Sequence, residues 1–449
     1  MRIRRILDRM SPAQIIVGYY FMAVVISTIL FSLPIALQDG VHLPFIDALF
    51  LAVSAVSVTG LSVVDITETF STTGYFIMLF VMQFGGIGVM TLGTFVWLVF
   101  RKKIGFKERK LIMADQNQLF FSGLVKMIRE ILILFLIVEA IGTLILTVYL
   151  FHYYPSVSEA FMQAIYMVVS ATTNAGFDIV GNSLIPFADD YFIQFMNILL
   201  IIFGSIGYAV LLEVKTFLTR KPTDPVYHFS LYTKLTTVTF FGLIVIGTIM
   251  IILLEFNHFF AGKSWTDSFF YALFQSVTTR NAGLSTMDVS QLTNPTLFLM
   301  CLLMFIGASP SSVGGGIRTT TFAVNMLFLY NYARGRQSIK VFNREIHDDD
   351  VKKSVVVTMI AMIVCGLGIF SLSITEPFSI MEIIFEVCSA FGTTGLSLGI
   401  TASLSVLGKI TVIILMFIGR VGILSFIFML GEEKEKERYH YPKERVIIG

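Results

Sequence analysis

Four short polar stretches interrupt a very apolar chain, and each of them contains a glycine. They read SAVSVTGLSV at residues 54–63, SATTNAGFD at 170–178, VTTRNAGLST at 277–286 and SAFGTTGLSL at 389–398. Glycine adopts positive φ angles that allow consecutive backbone carbonyls to point in one direction. A ring of such carbonyls can replace the water shell of a monovalent cation. The residue types therefore favour cation binding by the backbone, provided that the four stretches meet.

The spacing of the glycines indicates an internal repeat. The four stretches place glycines 116, 107 and 112 residues apart, at Gly60, Gly176, Gly283 and Gly395. A second glycine follows each of them after 25, 28, 24 and 24 residues, at Gly85, Gly204, Gly307 and Gly419. Two glycines that recur at nearly constant spacing in four segments are typical of an internal repeat. One turn alone would favour a simple connector, and helix packing through small residues explains one glycine-rich helix but not the shared offset.

Long apolar segments must position these turns. The 449 residues are 55% hydrophobic and 14% charged, whereas soluble domains are about 25% charged. A spanning helix needs about 20 apolar residues. About eight transmembrane helices are therefore predicted, near 13–33, 75–100, 127–151, 191–218, 231–256, 297–330, 353–374 and 408–430. The first is interpreted as a retained helix, because no A-x-A cleavage site of a signal peptide follows it.

Four shorter apolar runs precede the polar turns, at 45–57, 158–171, 265–278 and 379–391. Runs of about 10–14 residues suit re-entrant half-helices. Ser264 with Asp267 and Ser379 with Glu382 match a helix-capping pattern, and Asp47 follows Pro44 at the start of the first run. We therefore predict an all-α membrane protein of four helix–re-entrant pore loop–helix repeats around a pseudo-fourfold axis. The repeats would cover 1–100, 101–220, 221–340 and 341–431, with a cytosolic tail at 432–449.

Charge sets the expected orientation. Lys and Arg cluster at residues 2–9, 101–110, 215–221 and 334–353, whereas the opposite connections carry almost none except Lys263 and Lys409. The positive-inside rule then places both termini in the cytoplasm and the four polar turns toward the outer side. The mixed-charge tail fits a solvated end and a partner contact equally well.

Enzyme chemistry is not expected from these residues. The sequence has no nucleophile–base set, no metal cluster and no phosphate loop after a strand. GGIGVMTLG and VGGGIRTT resemble nucleotide loops but lie inside predicted membrane segments. Cys301, Cys365 and Cys388 lie in apolar segments without pairing or metal spacing. We expect no organic cofactor, and the net charge of only +2 does not suggest nucleic acid.

The second long segment of the third repeat is predicted to break inside the membrane. It reads FIGASPSSVGGGIRTTTFA at 305–323. Pro310 cannot continue a helix, and three adjacent glycines disfavour one. We interpret the residues near 305–317 as a flexible intramembrane gate made of Ser309, Pro310, Ser311, Ser312, Val313, Gly314, Gly315 and Gly316. A static kink is the alternative.

Two arginines lie where charge is costly. Arg420 occupies the slot held by Gly86, Ser205 and Ala308 in the other repeats. Arginine inside a membrane segment is usually functional, so Arg420 is predicted to form an electrostatic barrier and to donate to the gate carbonyls. The alternative is an ion pair with Glu139 or Glu213. Arg280, within the third polar turn, is predicted to form a structural pair behind the wall with Glu386.

The quoted turns resemble the Trk/Ktr/HKT superfamily of potassium transporters, most closely its bacterial KtrB membrane subunits, over essentially the whole chain. SVTGLS, TTNAGFD, TTRNAGLS and GTTGLS match the filter loops of that potassium-channel-like fold. The resemblance implies a K⁺ filter formed mainly by backbone carbonyls of loop 1 (Ser57, Val58, Thr59, Gly60), loop 2 (Thr173, Asn174, Ala175, Gly176), loop 3 (Arg280, Asn281, Ala282, Gly283) and loop 4 (Gly392, Thr393, Thr394, Gly395).

The same resemblance implies partners and places the gate. It implies a homodimer in the cell membrane, on a cytosolic nucleotide-binding ring of the KtrA type, with the gate loop below the filter. Glycine at position 60 fits the potassium-selective members, whereas some plant relatives with serine there favour sodium. None of the loops is a full TVGYG, so softer selectivity is expected. Whether transport is channel-like or sodium-coupled stays open.

Two other classes of function remain as alternatives. An alternating-access secondary transporter for another solute uses inverted repeats, whereas these repeats all start on the same side. A membrane scaffold that conducts nothing would not need four polar turns. Rubidium flux with and without competing organic solutes distinguishes the three classes.

The charge asymmetry generates a topology prediction. In a chain whose three native cysteines are replaced, a cysteine near Asn182 should react with a membrane-impermeant maleimide added from outside. A cysteine near Lys107 should react only after the membrane is permeabilised. The reverse labelling pattern would invert the predicted orientation.

Overall fold

Within the described residues, four helices of 20 to 28 residues are each followed by shorter helices. The computed structural model describes residues 12–88, 124–220 and 227–423, with residues 426, 441, 442, 444 and 447. Its helices are α1 (Pro12–Phe31), α2 (Phe45–Val56), α3 (Ile66–Thr69), α4 (Thr72–Ile87), α5 (Leu124–Leu150), α6 (Val157–Thr173), α7 (Tyr191–Ser205), α8 (Tyr208–Thr219), α9 (Leu231–Glu255), α10 (Trp265–Thr278), α11 (Asn294–Ile306), α12 (Thr319–Ala333), α13 (Asp348–Thr375), α14 (Ile380–Gly392) and α15 (Val406–Val421). A small hairpin pairs β1 (Lys340–Val341) with β2 (Arg344–Glu345).

The short apolar runs form helices α2, α6, α10 and α14, within two residues of the predicted bounds. Both predicted capping boxes are present: Ser264 caps α10 together with Asp267, and Ser379 caps α14 together with Glu382. These reciprocal bonds satisfy the first amide groups of each helix, which have no partner inside it. Local sequence signals therefore fix where two of the short helices begin.

The second long segment of each repeat is interrupted, not only that of the third. Helices α4, α7, α11 and α15 all end next to a glycine with positive φ: Gly88 (96°), Gly207 (105°), Gly307 (71°) and Gly422 (87°). The predicted single helix over 191–218 is therefore wrong, because Gly207 turns the backbone out of the helical path. The segment over 297–330 is broken between Ile306 and Thr319, where the break was predicted. The predicted helices over 75–100 and 408–430 continue into residues outside the described ranges.

Helices long and apolar enough to cross a membrane are those that open each repeat. Within the described residues they are Gln14–Phe31, Lys126–Leu150, Leu231–Glu255 and Asp348–Thr375, and α7 with α8 makes a fifth candidate that is bent by 104°. Their length and apolar character identify a multi-pass membrane protein. All three cysteines are free and buried in this helical assembly.

Contacts between the repeats form a cycle. Each short helix packs against the interrupted helix of the repeat before it: α6 on α4, α10 on α7, α14 on α11 and α2 on α15. Lys409 of α15 and Asp47 of α2 form an ion pair at 2.5 Å, in which both side chains are almost buried. The last repeat is thereby joined to the first, and the loops that follow the short helices are brought toward one centre.

Candidate functional site

The loop glycines lie in one closed ring. A Cβ built on Gly60 would lie 2.7 Å from the carbonyl oxygen of Ala175 and 2.9 Å from the Cα of Gly176. The same relation holds around the ring, where Gly176 faces Ala282 and Gly283, Gly283 faces Thr394 and Gly395, and Gly395 faces Thr59 and Gly60. Each glycine thus packs against the carbonyl that precedes the glycine of the next loop, and no side chain fits there.

Backbone hydrogen bonds turn the loop carbonyls away from the helices. The amide before each glycine donates backwards into the preceding short helix: Thr59 to Ser54 at 2.8 Å, Ala175 to Ser170 at 2.8 Å, Ala282 to Thr278 at 2.9 Å and Thr394 to Ser389 at 2.8 Å. The hydroxyls of Ser54 and Ser389 also accept from the amides of Gly60 and Gly395. The donors are therefore used behind the loops, and the carbonyl oxygens remain for the centre.

Positive φ also occurs at the residue two before each glycine. The φ angles are 49° at Val58, 52° at Asn174, 139° at Asn281 and 50° at Thr393. Left-handed backbone is uncommon for residues other than glycine, and it is least expected for a β-branched one. The residue types at Val58 and Thr393 do not predict this conformation. Each loop thus has two positive-φ residues, separated by one residue, which turn the backbone out of the preceding helix.

The stretch predicted as a gate lies between α11 and α12 and is tied to two other repeats. Its backbone bonds to the break of α7–α8, because Val313 donates to the Gly204 carbonyl at 3.2 Å and Ser311 accepts from the Tyr208 amide at 2.6 Å. The Gly315 amide donates to Oδ1 of Asn281 in loop 3 at 2.9 Å. The same Oδ1 accepts from the Thr393 hydroxyl of loop 4 at 2.9 Å.

Arg420 reaches the stretch as predicted. Its guanidinium donates to the carbonyl of Val313 and to those of Gly85 and Gly86 at the end of α4. The alternative ion pair with Glu139 or Glu213 is wrong. Glu139 accepts from Gln83 and contacts Thr172, whereas Glu213 accepts from the Ser230 amide. The backbone carbonyls of Val313, Gly85 and Gly86 therefore accept the hydrogen bonds of Arg420 that a carboxylate was expected to accept.

Arg280 is not paired with Glu386, so that prediction is wrong. Its side chain is fully buried, and Nη2 donates to the Leu303 carbonyl at 3.0 Å. The Glu386 carboxylate accepts from Thr401 at 2.6 Å and Ser397 at 2.8 Å. Because two hydroxyls satisfy Glu386, and α11 offers a carbonyl near its end, the two charges remain apart. The guanidinium of Arg280 therefore lies against α11, while its backbone belongs to loop 3.

Arg318 is a further arginine near the gate stretch that was not predicted from the sequence. It adopts a φ of 80° directly before α12, and its Nη1 lies 3.3 Å from the Ser309 carbonyl at the other end of the gate stretch. A cavity of about 330 Å³ beneath the stretch is lined by Arg318 and Arg420 together with Tyr20, Tyr232 and Ser312. The position of Arg318, two residues after three adjacent glycines, was the available signal.

Apolar helices long enough to span a membrane, around a closed ring of glycine-bearing loops, are features of a membrane transport protein. The TrkH family, described as cation transport protein, matches residues 4–439. The chain belongs to this family, and as a member of a transport family it is not an enzyme.

Known relatives and a solved structure agree with this membership. The chain is 58% identical to the Ktr system potassium uptake protein D of Bacillus subtilis, with both chains fully covered. It is 34% identical to the Ktr system potassium uptake protein B of the same species, over 98% of this chain and 97% of that one. The crystal structure of the potassium transporter TrkH from Vibrio parahaemolyticus is similar in fold, with a TM-score of 0.74 at 20% identity, over 94% of this chain and 86% of that one.

Proposed function

We propose that the chain is the pore-forming membrane subunit of a potassium uptake system. The observation that carries this proposal is the closed ring of Gly60, Gly176, Gly283 and Gly395, because a cation can be bound there only by backbone oxygens. Membership in a cation transport family supports it, as do the potassium uptake functions named for two relatives.

Loops 1 to 4 form the selectivity filter in this proposal. Each contributes its four residues, Ser57–Gly60, Thr173–Gly176, Arg280–Gly283 and Gly392–Gly395, to a pseudo-fourfold axis. The backward hydrogen bonds hold the carbonyls in place without competing for K⁺. Helices α2, α6, α10 and α14 end at the loops, so their negative dipole ends face the transported cation.

The stretch Ser309–Gly316 is the gate, and Arg420 holds it. Backbone and side-chain hydrogen bonds hold the stretch against α7, α8, α9, loop 3 and α15, and the arginine adds a positive charge on the path of K⁺. Glycine at three consecutive positions lowers the cost of rearranging it. A cytosolic nucleotide-binding ring of the KtrA type, acting on a homodimer in the cell membrane with cytoplasmic termini, would supply the signal that moves it.

Replacement of Gly60 tests the filter. Gly60→Ser adds a side chain at a φ of 91°, against the Ala175 carbonyl. Overpacking of this kind costs about 1–3 kcal/mol, so the preference for Rb⁺ over Na⁺ should fall roughly tenfold. The measurement is isotope flux in vesicles that hold the chain with its cytosolic partner, with sodium and organic solutes as separate arms.

Gly399→Ser is the matched control for this variant. Gly399 has nearly the same φ, 93°, but a Cβ there meets nothing within 4 Å. Its ion preference should equal that of the wild type. Equal preference in the Gly60 variant would remove the filter assignment, and solute-dependent flux would favour a secondary transporter. The sodium arm shows whether uptake depends on Na⁺.

Release of the gate should raise flux. Deletion of residues 311–315 removes the bonds to α8 and Asn281, and Arg420→Ala removes the clasp on Val313. Hydrogen bonds from a charged donor contribute about 1.5–3 kcal/mol each, so unstimulated Rb⁺ flux should rise roughly tenfold or more. Dependence on the nucleotide bound to the partner should weaken.

Arg334→Ala serves as the control for the gate variants, because Arg334 is exposed beyond α12 and its guanidinium stacks on Tyr330 of the same helix. It should conduct as the wild type does. If correctly assembled deletion dimers conduct no faster than the wild type, the stretch is a static kink.

A further inference from the structure

A buried carboxyl group lies behind loop 2, on a helix that does not contribute to the ring. Glu139 is at the middle of α5 and is 6% exposed. Nε2 of Gln83, on α4, donates to its Oε2 at 2.6 Å. Oγ1 of Thr172, in the last turn of α6, lies 2.9 Å from its Oε1. Within the described residues, no Lys, Arg or His forms an ion pair with Glu139.

Hydrogen-bond accounting favours the neutral acid at this position. Oγ1 of Thr172 also lies 2.8 Å from the Val168 carbonyl, one helical turn back. A hydroxyl has one hydrogen. If that hydrogen goes to Val168, the contact with Glu139 is a hydrogen bond only when Glu139 carries the proton. An ionised carboxylate here would be buried in a membrane helix without a cation, which is costly.

The contact acts directly on the start of loop 2. Thr172 precedes Thr173, the first residue of that loop, and the Thr172 carbonyl is pressed against Gly204 of α7 on its other side. The last turn of α6 is thus held between α5 and α7. Gln83 lies two residues before Gly85, whose carbonyl accepts from Arg420. Glu139 therefore joins loop 2 to the helix that the gate arginine uses.

We propose that Glu139 is a positioning residue of the ion pathway, a neutral carboxylic acid that fixes the direction of the loop 2 carbonyls by holding Thr172 and Gln83 together. The inference rests on the proposed function of the loops as a filter. It predicts that an isostere able to donate to Thr172 and accept from Gln83 will replace Glu139, whereas a side chain that makes neither bond will not.

Glutamine meets this requirement and alanine does not. In Glu139→Gln the amide nitrogen donates to Thr172 and the amide oxygen accepts from Gln83, so the Rb⁺/Na⁺ flux ratio should match the wild type. In Glu139→Ala both bonds are lost, and the ratio should fall about tenfold. The measurement uses vesicles that contain the full chain assembled with its cytosolic partner. Glu139→Gln that fails as badly as alanine would overturn the neutral-acid assignment.

Two further variants identify the partner and control for the helix. Thr172→Val keeps the shape of the side chain but removes the hydroxyl, and it should lower the Rb⁺/Na⁺ flux ratio as much as Glu139→Ala does. The double variant Glu139→Ala/Thr172→Val should lose little more. Glu130→Ala removes another acid of α5, one whose ion pairs in the described part of the chain are with Lys126 and Lys215, and should leave the ratio unchanged. An unchanged Rb⁺/Na⁺ flux ratio in Glu139→Ala would refute the proposal.

Thermal unfolding of the same variants separates this inference from the proposed function. The melting temperature shifts of Glu139→Ala and Thr172→Val should be non-additive, because each removes the same contact. Absence of Rb⁺ flux in the wild type would refute the pore function, while the unfolding cycle would still decide the contact. Additive shifts would show that Glu139 does not hold Thr172.

Discussion

The fold depends on one constraint, that backbone away from helices must find hydrogen-bond partners inside a membrane. In the ring loops, the backbone amides satisfy this constraint and the backbone carbonyls do not. Their amides donate back to Ser54, Ser170, Thr278 and Ser389, whereas their carbonyls point where no protein donor lies among the described residues. In the proposed function, the unmet half of the constraint is what would allow the ring to bind a cation, since a bare ion supplies what the loops lack.

The same constraint explains the buried polar side chains around the ring. Glu255 accepts from the amide and hydroxyl of Thr293 at the start of α11, and Glu376 does the same for Ser405 at the start of α15. Arg280 and Arg420 instead donate to carbonyls near the ends of α11 and α4. Acids thus serve helix starts and arginines serve helix ends, in agreement with the polarity of unsatisfied groups at each terminus.

Features with a local cause could be predicted from the sequence. The short helices followed from apolar runs and capping residues, and the break after Ile306 followed from Pro310 and three glycines. The breaks at Gly88, Gly207 and Gly422 did not, because a glycine within an apolar run is equally consistent with close helix packing. The wrong predictions of ion pairs for Arg280 and Arg420 have a different origin. Charges along the chain do not reveal that hydroxyls satisfy Glu386 or that carbonyls satisfy Arg420.

Asn281 shows why the proposed filter and gate cannot be independent. Its Oδ1 accepts from Gly315 of the gate stretch and from Thr393 of loop 4, while its own backbone belongs to loop 3. If Gly315 moves away, Oδ1 of Asn281 keeps one hydrogen-bond donor instead of two. The site is buried, so water does not replace the lost hydrogen bond. Movement of the proposed gate would therefore change the forces on two adjacent loops of the ring. The short Asn281 side chain links them by accepting both hydrogen bonds at one oxygen atom, and Gly315 also packs against the Thr393 side chain.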